Sequence, residues 1–251
     1  MNPSQSPADE REQLLAELTA HIEMEQWFGA DVYRSVPTPP PALPKHTESE
    51  MPEAHPDEDP EKRRRLEELR QRIQDCHQCP LGATRNRFVF GEGRADARLL
   101  FVGEAPGRDE DIQGRPFVGR AGKLLTRMIE AMGLERGDIY IGNILKCRPP
   151  ENRTPTLSEM GVCLPYILEQ TRIIQPEVVC ALGATALKGL LRDAGASITR
   201  MRGRFLDWQG IKLMPTYHPA YLLRAPGEKR KAWEDLQKIM AHLGLPMPGS
   251  R

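Results

Sequence analysis

Hydrophobic positions after residue 97 alternate between short, nearly continuous apolar runs and longer stretches in which apolar residues recur every three or four positions. The first pattern predicts buried strands, and the second predicts helices. The predicted strands are 98–102, 139–142, 177–182, 205–208 and 212–214, and the predicted helices are 119–132, 157–174, a helix after Gly183 and 229–243. Strands separated by helices of this length predict an α/β fold with a mostly parallel sheet and helices on both faces.

Three segments with candidate chemistry follow predicted strands. The first is the Gly/Pro-rich stretch 103–119, the second begins at Asn143, and the third begins at His218. Because a parallel sheet of this kind binds its ligand outside the carboxyl ends of its strands, we expect these segments to form the functional site.

Each segment permits two interpretations when it is taken alone. Phe117 either stacks on a flat ligand or plugs the core, and Asn143 either reads the polar edge of a pyrimidine or forms a turn. His218, fixed by Pro219, either donates a hydrogen bond to a developing negative charge or caps a helix. The acidic residues 109–111 suggest magnesium only weakly, because no second acidic cluster accompanies them.

The amino-terminal region differs in composition from the rest of the chain. Apolar residues at near-helical spacing predict a short amphipathic helix within 9–28, with the main domain, another protein or nothing stable as its partner. Residues 35–60 are acidic and proline-rich, which predicts a disordered linker that acts as a solvated spacer or competes weakly with DNA. We therefore divide the chain into an extension (1–34), a linker (35–60), a catalytic domain (61–245) and a tail (246–251).

Charge is unevenly distributed although the whole chain is neutral. Residues 1–62 contain 4 Lys or Arg and 14 Asp or Glu, so they carry a net charge of −10 and the remainder carries +10. A basic domain suits a partner that bears phosphates, such as DNA. No apolar stretch is long enough to cross a bilayer, so we expect no membrane partner.

Four of the five cysteines form two pairs, Cys76-x2-Cys79 and Cys147-x15-Cys163. An odd cysteine count without a signal-peptide pattern predicts a reducing cytoplasm and therefore a metal site rather than disulfides, with unrelated buried thiols as the alternative. Zinc and a 4Fe-4S cluster both accept four thiolates, and the spacing does not distinguish them. Cys180 lies in an apolar run and is interpreted as a core residue.

Taken together, the motifs closely resemble those of the family 4 uracil-DNA glycosylases from about residue 61 to about residue 243. The matching stretches are Gly103-Glu104-Ala105-Pro106-Gly107, Gly114-Arg115-Pro116-Phe117-Val118-Gly119, Asn143 ahead of Lys146-Cys147-Arg148-Pro149-Pro150-Glu151-Asn152-Arg153, and His218-Pro219-Ala220-Tyr221-Leu222-Leu223-Arg224. The resemblance implies a three-layer αβα sandwich around a mostly parallel four-stranded sheet. It also implies a structural 4Fe-4S cluster on Cys76, Cys79, Cys147 and Cys163.

The resemblance further implies roles for individual residues in the removal of uracil flipped from DNA. Phe117 would stack on the base, Asn143 would bond its polar edge, and His218 would face the uracil oxygen that gains charge. Gly103, Glu104 and Ala105 would line the pocket, and the expected catalytic set is His218, Asn143 and Glu104. The expected DNA contacts are Arg115, Arg148, Arg153, Tyr221, Leu222, Leu223 and Arg224.

One departure concerns the water-activating group. The best-known uracil-DNA glycosylases carry Gly-Gln-Asp-Pro-Tyr-His where this chain has Gly103-Glu104-Ala105-Pro106-Gly107-Arg108, so their aspartate and tyrosine are missing. We hypothesise that Glu104 places the water or the base. The loss of the tyrosine leaves open a broader range of deaminated bases, such as hypoxanthine.

A related group traps uracil-containing DNA covalently through a histidine in an inserted loop after the asparagine. Residues 144–153 contain no insertion and no histidine, which favours a turnover enzyme. The alternative from another class is a non-catalytic or redox-sensing iron-sulfur module that binds DNA. We expect a monomer that acts on single- or double-stranded uracil-containing DNA, with an unknown protein as a possible partner of the amino-terminal helix.

Overall fold

A six-stranded sheet in the order β1-β3-β2-β4-β6-β5 forms the centre of the protein, as seen in a computed structural model that describes residues 57–247. The strands are β1 (Glu92–Gly93), β2 (Leu99–Gly103), β3 (Tyr140–Asn143), β4 (Val178–Leu182), β5 (Leu206–Trp208) and β6 (Ile211–Thr216). The four central strands are parallel, as predicted, while β1 and β5 pair antiparallel at the two edges.

Nine α-helices accompany the sheet in the described residues 57–247. They are α1 (Pro60–Ile73), α2 (Leu81–Thr84), α3 (Arg108–Gln113), α4 (Arg120–Ala131), α5 (Leu157–Ile174), α6 (Gly183–Leu191), α7 (Ile198–Met201), α8 (Pro219–Arg224) and α9 (Lys229–Leu243). None of them combines the length and apolar character that a membrane-spanning helix requires.

The family resemblance implied four strands and the hydrophobic pattern predicted five, and the sheet has one more because the edge strand β1 is very short. β1 has only two residues and follows Gly91, whose φ is +136°, so no alternating pattern marks it. β5 and β6 form a hairpin whose turn residues, Gln209 and Gly210, both have positive φ, as a two-residue hairpin turn requires. The predicted parallel core is confirmed, and the edge strands extend it.

The sheet is covered on both faces because its central strands are apolar throughout. β2 and β4 are fully buried, which is the pattern expected of parallel strands between two helical layers. One core cluster joins α1, α5 and α6 to alternate strand positions such as Leu100, Val102 and Val179. The intervening positions, such as Phe101 and Cys180, are buried outside that cluster, and α9 packs against β6.

The folded part of the described chain includes residues 57–60, which the sequence placed in the linker. The Glu58 carboxylate is buried and accepts a hydrogen bond from the Ala95 amide, and Asp59 caps α1 by accepting from the amides of Glu61 and Lys62. The predicted helix at 9–28, most of the linker and residues 248–251 of the tail lie outside the described residues.

Candidate active site

The strand register brings the ends of the central strands to one edge of the sheet. Gly103, the last residue of β2, pairs with Asn143, the last residue of β3. On the other side of β2, Leu182 of β4 pairs with Thr216 of β6, and His218 follows two residues later. The three segments singled out in the sequence therefore begin at the same edge of the sheet, the first two on neighbouring strands and the third beyond β4.

A cavity of about 500 Å³ opens at this edge and is lined by all three segments. Its walls consist of residues from the loops after β2, β3 and β6 and from the helices that follow them, namely Glu104, Ala105, Pro106, Gly107, Glu110, Phe117, Ala121, Asn143, Pro149, Asn152, Arg153, His218, Ala220, Tyr221 and Arg224. The volume and the mixture of apolar walls with a few polar groups are typical of a small-molecule pocket.

Asn143 brings an unsatisfied hydrogen-bond acceptor to this cavity. The residue is 2% exposed, and its side-chain Oδ1 is buried without a partner among residues 57–247. Leaving a buried carbonyl unpaired costs about 1–3 kcal/mol, so such an atom in a cavity wall is suited to accept a hydrogen bond from a ligand. Gly103 makes room for it, because a Cβ at that position would collide with Asn143 Oδ1 and would lie 2.6 Å from Phe117 Cζ.

Phe117 presents an aromatic ring to the cavity from a strained turn. Its φ is +51°, in the left-handed region that side chains with a Cβ seldom adopt, and the residue is buried. The ring centroid lies 5.7 Å from that of His218, with a tilt of 32° between the planes. Phe117 thus lies in the wall of the cavity rather than away from it.

His218 is held in one tautomer by the start of α8. The residue is the N-cap of this helix, and its Nδ1 accepts a hydrogen bond of 3.1 Å from the Ala220 amide. Because Nδ1 must be unprotonated to accept, the ring proton lies on Nε2, which becomes a donor. Gly183, whose φ is +88°, permits this approach, since a Cβ there would lie 2.9 Å from His218 Cβ.

The surroundings of His218 also fix its charge. Burial, assisted by the positive charge of Arg224, lowers the pKa of His218 from 6.5 to about 4. The imidazole is therefore neutral at physiological pH and donates from Nε2 without carrying a positive charge.

We expect the pKa of His218 to make the protein less stable in mild acid. The unfolded chain takes up a proton near pH 6.5 and the folded chain only near pH 4, so this stabilising contribution is complete above pH 6.5 and is lost as pH falls from 6.5 towards 4. The thermal midpoint of the wild type should fall more steeply over this range than that of His218→Asn. Parallel curves for the two proteins would contradict the lowered pKa.

Glu104 and Ala105 line the cavity directly after β2. The Glu104 backbone carbonyl accepts from the Leu145 amide at 3.0 Å, which ties this loop to the one after β3. No residue in the described range 57–247 pairs with the Glu104 carboxylate through a hydrogen bond or an ion pair. A free carboxylate in the wall of a cavity can orient a water molecule.

Glu110 organises the site, although the sequence suggested only a weak magnesium ligand. Its carboxylate accepts backbone hydrogen bonds from Gly107, Val118 and Gly119 at 3.0–3.1 Å. The neighbouring Asp111 is buried and accepts from the side chain and amide of Asn86. These two carboxylates are thus occupied by protein donors, and between residues 57 and 247 no group of His, Cys, Asp or Glu residues is arranged to hold a single metal ion.

The expected DNA contacts differ in their exposure and in their partners within the protein. Arg153, Tyr221 and Arg224 line the cavity and are exposed, and Arg153 is also paired with the buried carboxylate of Glu159 at 2.6 and 2.9 Å. Arg148, outside the cavity wall, hydrogen-bonds to Asn152, and Arg115 is bound instead to the buried carboxylate of Glu92.

Leu222 requires a correction. Its side chain has no exposed surface, because this face of α8 packs into the protein, so it offers no surface to DNA in this conformation. The next residue, Leu223, is half-buried, and Tyr221 is 38% exposed with its ring centroid 5.0 Å from that of Tyr217. The apolar surface that α8 offers therefore comes from Tyr221 and Leu223.

The four paired cysteines lie near one another, since the charges of Cys76 and Cys79 act on Cys147 and those of Cys147 and Cys79 act on Cys163. Cys76 and Cys79 are half-buried, Cys147 and Cys163 are buried, and none of the four forms a disulfide. Burial is the largest effect on the pKa of Cys147 and raises it. Arg85 lowers this pKa, and Cys79 and Cys76 raise it further. Burial likewise raises the pKa of Cys163 to about 12. The fifth cysteine, Cys180, is fully buried in β4, as predicted for a core residue.

Three of the sulfur atoms have a hydrogen-bonding group beside them. Cys76 Sγ lies 3.1 Å from the Tyr166 hydroxyl, Arg85 donates to Cys147 Sγ at 3.3 Å, and the Lys146 amide donates to Cys163 Sγ at 3.3 Å. Hydrogen bonds of this kind stabilise thiolates.

Comparison with known proteins identifies the family to which the chain belongs. Residues 90–237 match the model of the uracil DNA glycosylase superfamily. The type-4 uracil-DNA glycosylase of Thermotoga maritima is 48% identical over 181 residues, which cover 71% of this chain and 94% of that protein. Those of Sulfurisphaera tokodaii and Archaeoglobus fulgidus are 44% and 40% identical, over 69% and 73% of this chain and 83% and 96% of their own lengths. The chain belongs to the uracil-DNA glycosylase superfamily, and within it to the type-4 uracil-DNA glycosylases.

Proposed function

We infer that this protein hydrolyses the N-glycosidic bond of uracil in DNA, leaving an abasic site as the first step of base excision repair. The observation that carries this inference is the convergence of Asn143, Phe117 and His218 on one cavity, with the Asn143 acceptor unpaired. Such a pocket admits only a base that has left the duplex, so the reaction requires that uracil be flipped out.

The cavity suits the uracil ring in both shape and polarity. Phe117 offers a face on which the ring stacks, and Asn143 Oδ1 accepts a hydrogen bond from the uracil N3–H, while the Asn143 amide donates to O4. Cytosine has an acceptor at N3 and an amino group at C4, so both contacts fail. A site built to hydrogen-bond one edge rejects the analogue that leaves its buried groups unpaired.

His218 stabilises the leaving group. As the bond from the sugar to N1 breaks, uracil acquires negative charge on N1 and O2, and the sugar acquires positive charge. A neutral imidazole that already points its Nε2 proton into the cavity meets this charge without reorganising. One such donor lowers the barrier by about 3 kcal/mol.

Glu104 is proposed to orient the attacking water. Its carboxylate is free and lies in the cavity wall, and water must reach the sugar on the face opposite the departing base. The negative charge of Glu104 also favours the cation-like sugar.

The exposed side chains at the cavity mouth form the DNA-binding surface in this proposal. Arg224 places positive charge at the rim, and Arg153 lies there paired with Glu159, where the phosphates beside a flipped nucleotide would lie. Tyr221 and Leu223 supply the apolar surface that occupies the gap left in the base stack.

Cys76, Cys79, Cys147 and Cys163 are proposed to hold a structural 4Fe-4S cluster. Four neighbouring thiols, three of which have a hydrogen-bonding group against the sulfur, fit a thiolate-bound group. The resemblance to the type-4 uracil-DNA glycosylases, which implies a 4Fe-4S cluster on these four cysteines, favours the cluster over zinc. The cluster would crosslink the segment after α1 to the loop after β3, and hydrolysis needs no electron from it.

We expect Cys163→Ser to lower the thermal midpoint and to abolish the visible absorption of the purified protein. Cys163 is buried, so a serine there weakens iron binding and leaves a polar group without a ligand. Iron content, the absorbance near 400 nm and the melting curve test this, with Cys180→Ser as the matched buried-cysteine control that should retain iron. Full iron content in Cys163→Ser would contradict the ligand assignment.

The cellular setting and assembly are further parts of the proposal. The absence of a disulfide among the five cysteines fits a reducing cytoplasm. We propose a monomer whose catalytic domain extends to residue 245 and includes residues 57–60 in addition to the predicted 61–245. The preceding residues are proposed to be an extension and linker, with an unknown protein as one candidate partner of the amino-terminal segment.

Oligonucleotides that carry one uracil, thymine, hypoxanthine or xanthine test the proposed function. Alkali cleaves the strand at each abasic site, so excision appears as a shorter labelled fragment. We expect cleavage of the uracil substrate in single- and double-stranded form and none of the thymine control. Binding of the DNA without cleavage of any substrate would favour a non-catalytic iron-sulfur module instead.

A further inference from the structure

The turn that carries Phe117 is held by charged side chains on both of its sides. Phe117 adopts a φ of +51°, which costs a bulky L-residue roughly 1 kcal/mol or more when nothing compensates. The turn also packs closely against Gly122, where a Cβ would collide with the Phe117 carbonyl oxygen. The conformation is therefore imposed by its surroundings.

Glu110 holds the amide side of the turn. One oxygen of its carboxylate, Oε1, accepts from the amides of Val118 and Gly119, both at 3.0 Å. The other oxygen, Oε2, accepts from the Gly107 amide at 3.1 Å and so ties the turn to the loop after β2. Hydrogen bonds to an ionised acceptor are about twice as strong as neutral ones.

Arg136 holds the carbonyl side. Its guanidinium donates to the backbone carbonyls of Pro116 at 2.9 Å and Phe117 at 3.2 Å. The buried carboxylate of Glu92 binds the same guanidinium, and the Thr126 hydroxyl accepts from it at 3.2 Å. The planar fork of an arginine reaches two carbonyls and a carboxylate at once, which a lysine cannot do.

We propose that Glu110 and Arg136 are positioning residues that fix the ring of Phe117 for stacking on the extruded base. The identity of the base in this inference rests on the proposed function. The clamp, by which we mean the hydrogen bonds of Glu110 and Arg136 to the Phe117 turn, rests on the contacts given above. Arg136 does not line the cavity and acts on the reaction only through the turn that carries Phe117, whereas Glu110 also lines the cavity and binds the Gly107 amide. Removal of either side frees the turn to relax towards ordinary φ values and moves the ring out of its place.

Arg136→Gln tests the clamp, and Arg94→Gln is its matched control. The two arginine side chains are 21% and 23% exposed, and each binds one carboxylate and at least one backbone carbonyl, but Arg94 contacts Asp96 and Asp57 rather than the turn. We expect both variants to lower the thermal midpoint. Only Arg136→Gln should reduce the single-turnover excision rate at saturating enzyme, on the order of 10²-fold as expected for a misplaced positioning contact.

Binding and spectroscopy separate this role from general destabilisation. Affinity for uracil-free DNA should change less than twofold in Arg136→Gln, on the order of experimental error, because the ring is not part of that contact. With 4-fluorophenylalanine incorporated, the ¹⁹F resonance of Phe117, assigned through Phe117→Tyr, should be single in the wild type and Arg94→Gln. It should shift or broaden in Arg136→Gln and in Glu110→Gln.

The outcomes are distinct for the clamp and for the enzymatic proposal. If Arg136→Gln does not fold, Glu110→Gln carries the same prediction from the other side of the turn. An unchanged Phe117 resonance together with a rate loss no larger than that of Arg94→Gln would overturn the clamp. A wild-type protein that leaves uracil in DNA would refute the proposed function, and the ¹⁹F spectra would still decide on the clamp.

Discussion

His218→Asn should excise uracil about 10²- to 10³-fold more slowly than the wild type in single-turnover assays, which is the effect of removing one donor to a developing anion. Asparagine is among the best N-cap residues, so it can still accept from the Ala220 amide and keep the start of α8 intact. It is too short to place a donor where Nε2 of His218 lies. The rate constant for release of labelled uracil, measured with enzyme in excess, tests this expectation.

The comparison with His218→Ala separates catalysis from capping. Alanine loses both the donor and the cap, so it should show a similar fall in rate and an additional loss of stability of about 1 kcal/mol. If His218→Asn released uracil at more than a third or so of the wild-type rate, leaving-group stabilisation by His218 would be wrong.

Asn143→Ala should also reduce excision strongly, and it should do so without destabilising the protein. Two hydrogen bonds to the base contribute about 3 kcal/mol together, which corresponds to roughly a 10²-fold loss in kcat/KM. Because Asn143 Oδ1 has no partner in the described chain, its removal eliminates a buried unpaired acceptor. We therefore expect the thermal midpoint to stay the same or to rise.

Asn86→Ala is the matched control with the opposite result. The Asn86 side chain donates to buried Asp111 at 2.5 Å, outside the cavity wall, so its loss should lower the thermal midpoint and leave the excision rate within about twofold of the wild type. Melting curves and excision rates of both variants provide the test. A marked loss of stability in Asn143→Ala with normal excision would show that this asparagine is a structural residue.

The sequence predicted the central sheet well because its strands carry a strong signal. The buried runs that became β2 and β4 are apolar at every position, and their spacing from the intervening helices left a parallel sheet as the natural arrangement. The location of the site followed from the same signal, since Asn143 and His218 stand at strand ends. The edge strand Glu92–Gly93 escaped prediction because two residues carry no periodicity.

The details of the site depended on contacts between distant parts of the chain. Arg136 reaches Phe117 across 19 residues, and Glu110 reaches Gly119 across 9, and no local pattern reports such pairs. Helix α8 has only six residues, too few to show which side faces inward, so Leu222 was expected at the DNA surface although it is buried. The tautomer of His218 likewise could not be predicted from the sequence, because it is set by the hydrogen bond that the Ala220 amide donates to Nδ1.

A crystal structure of His218→Asn bound to uracil-containing DNA tests most directly whether the three strand ends hold an extruded pyrimidine. We predict that uracil lies in the cavity, stacked on Phe117, with its N3 within hydrogen-bonding distance of Asn143 Oδ1. A complex in which the uracil remains in the helix, or occupies a different part of the surface while this cavity stays without it, would contradict that prediction.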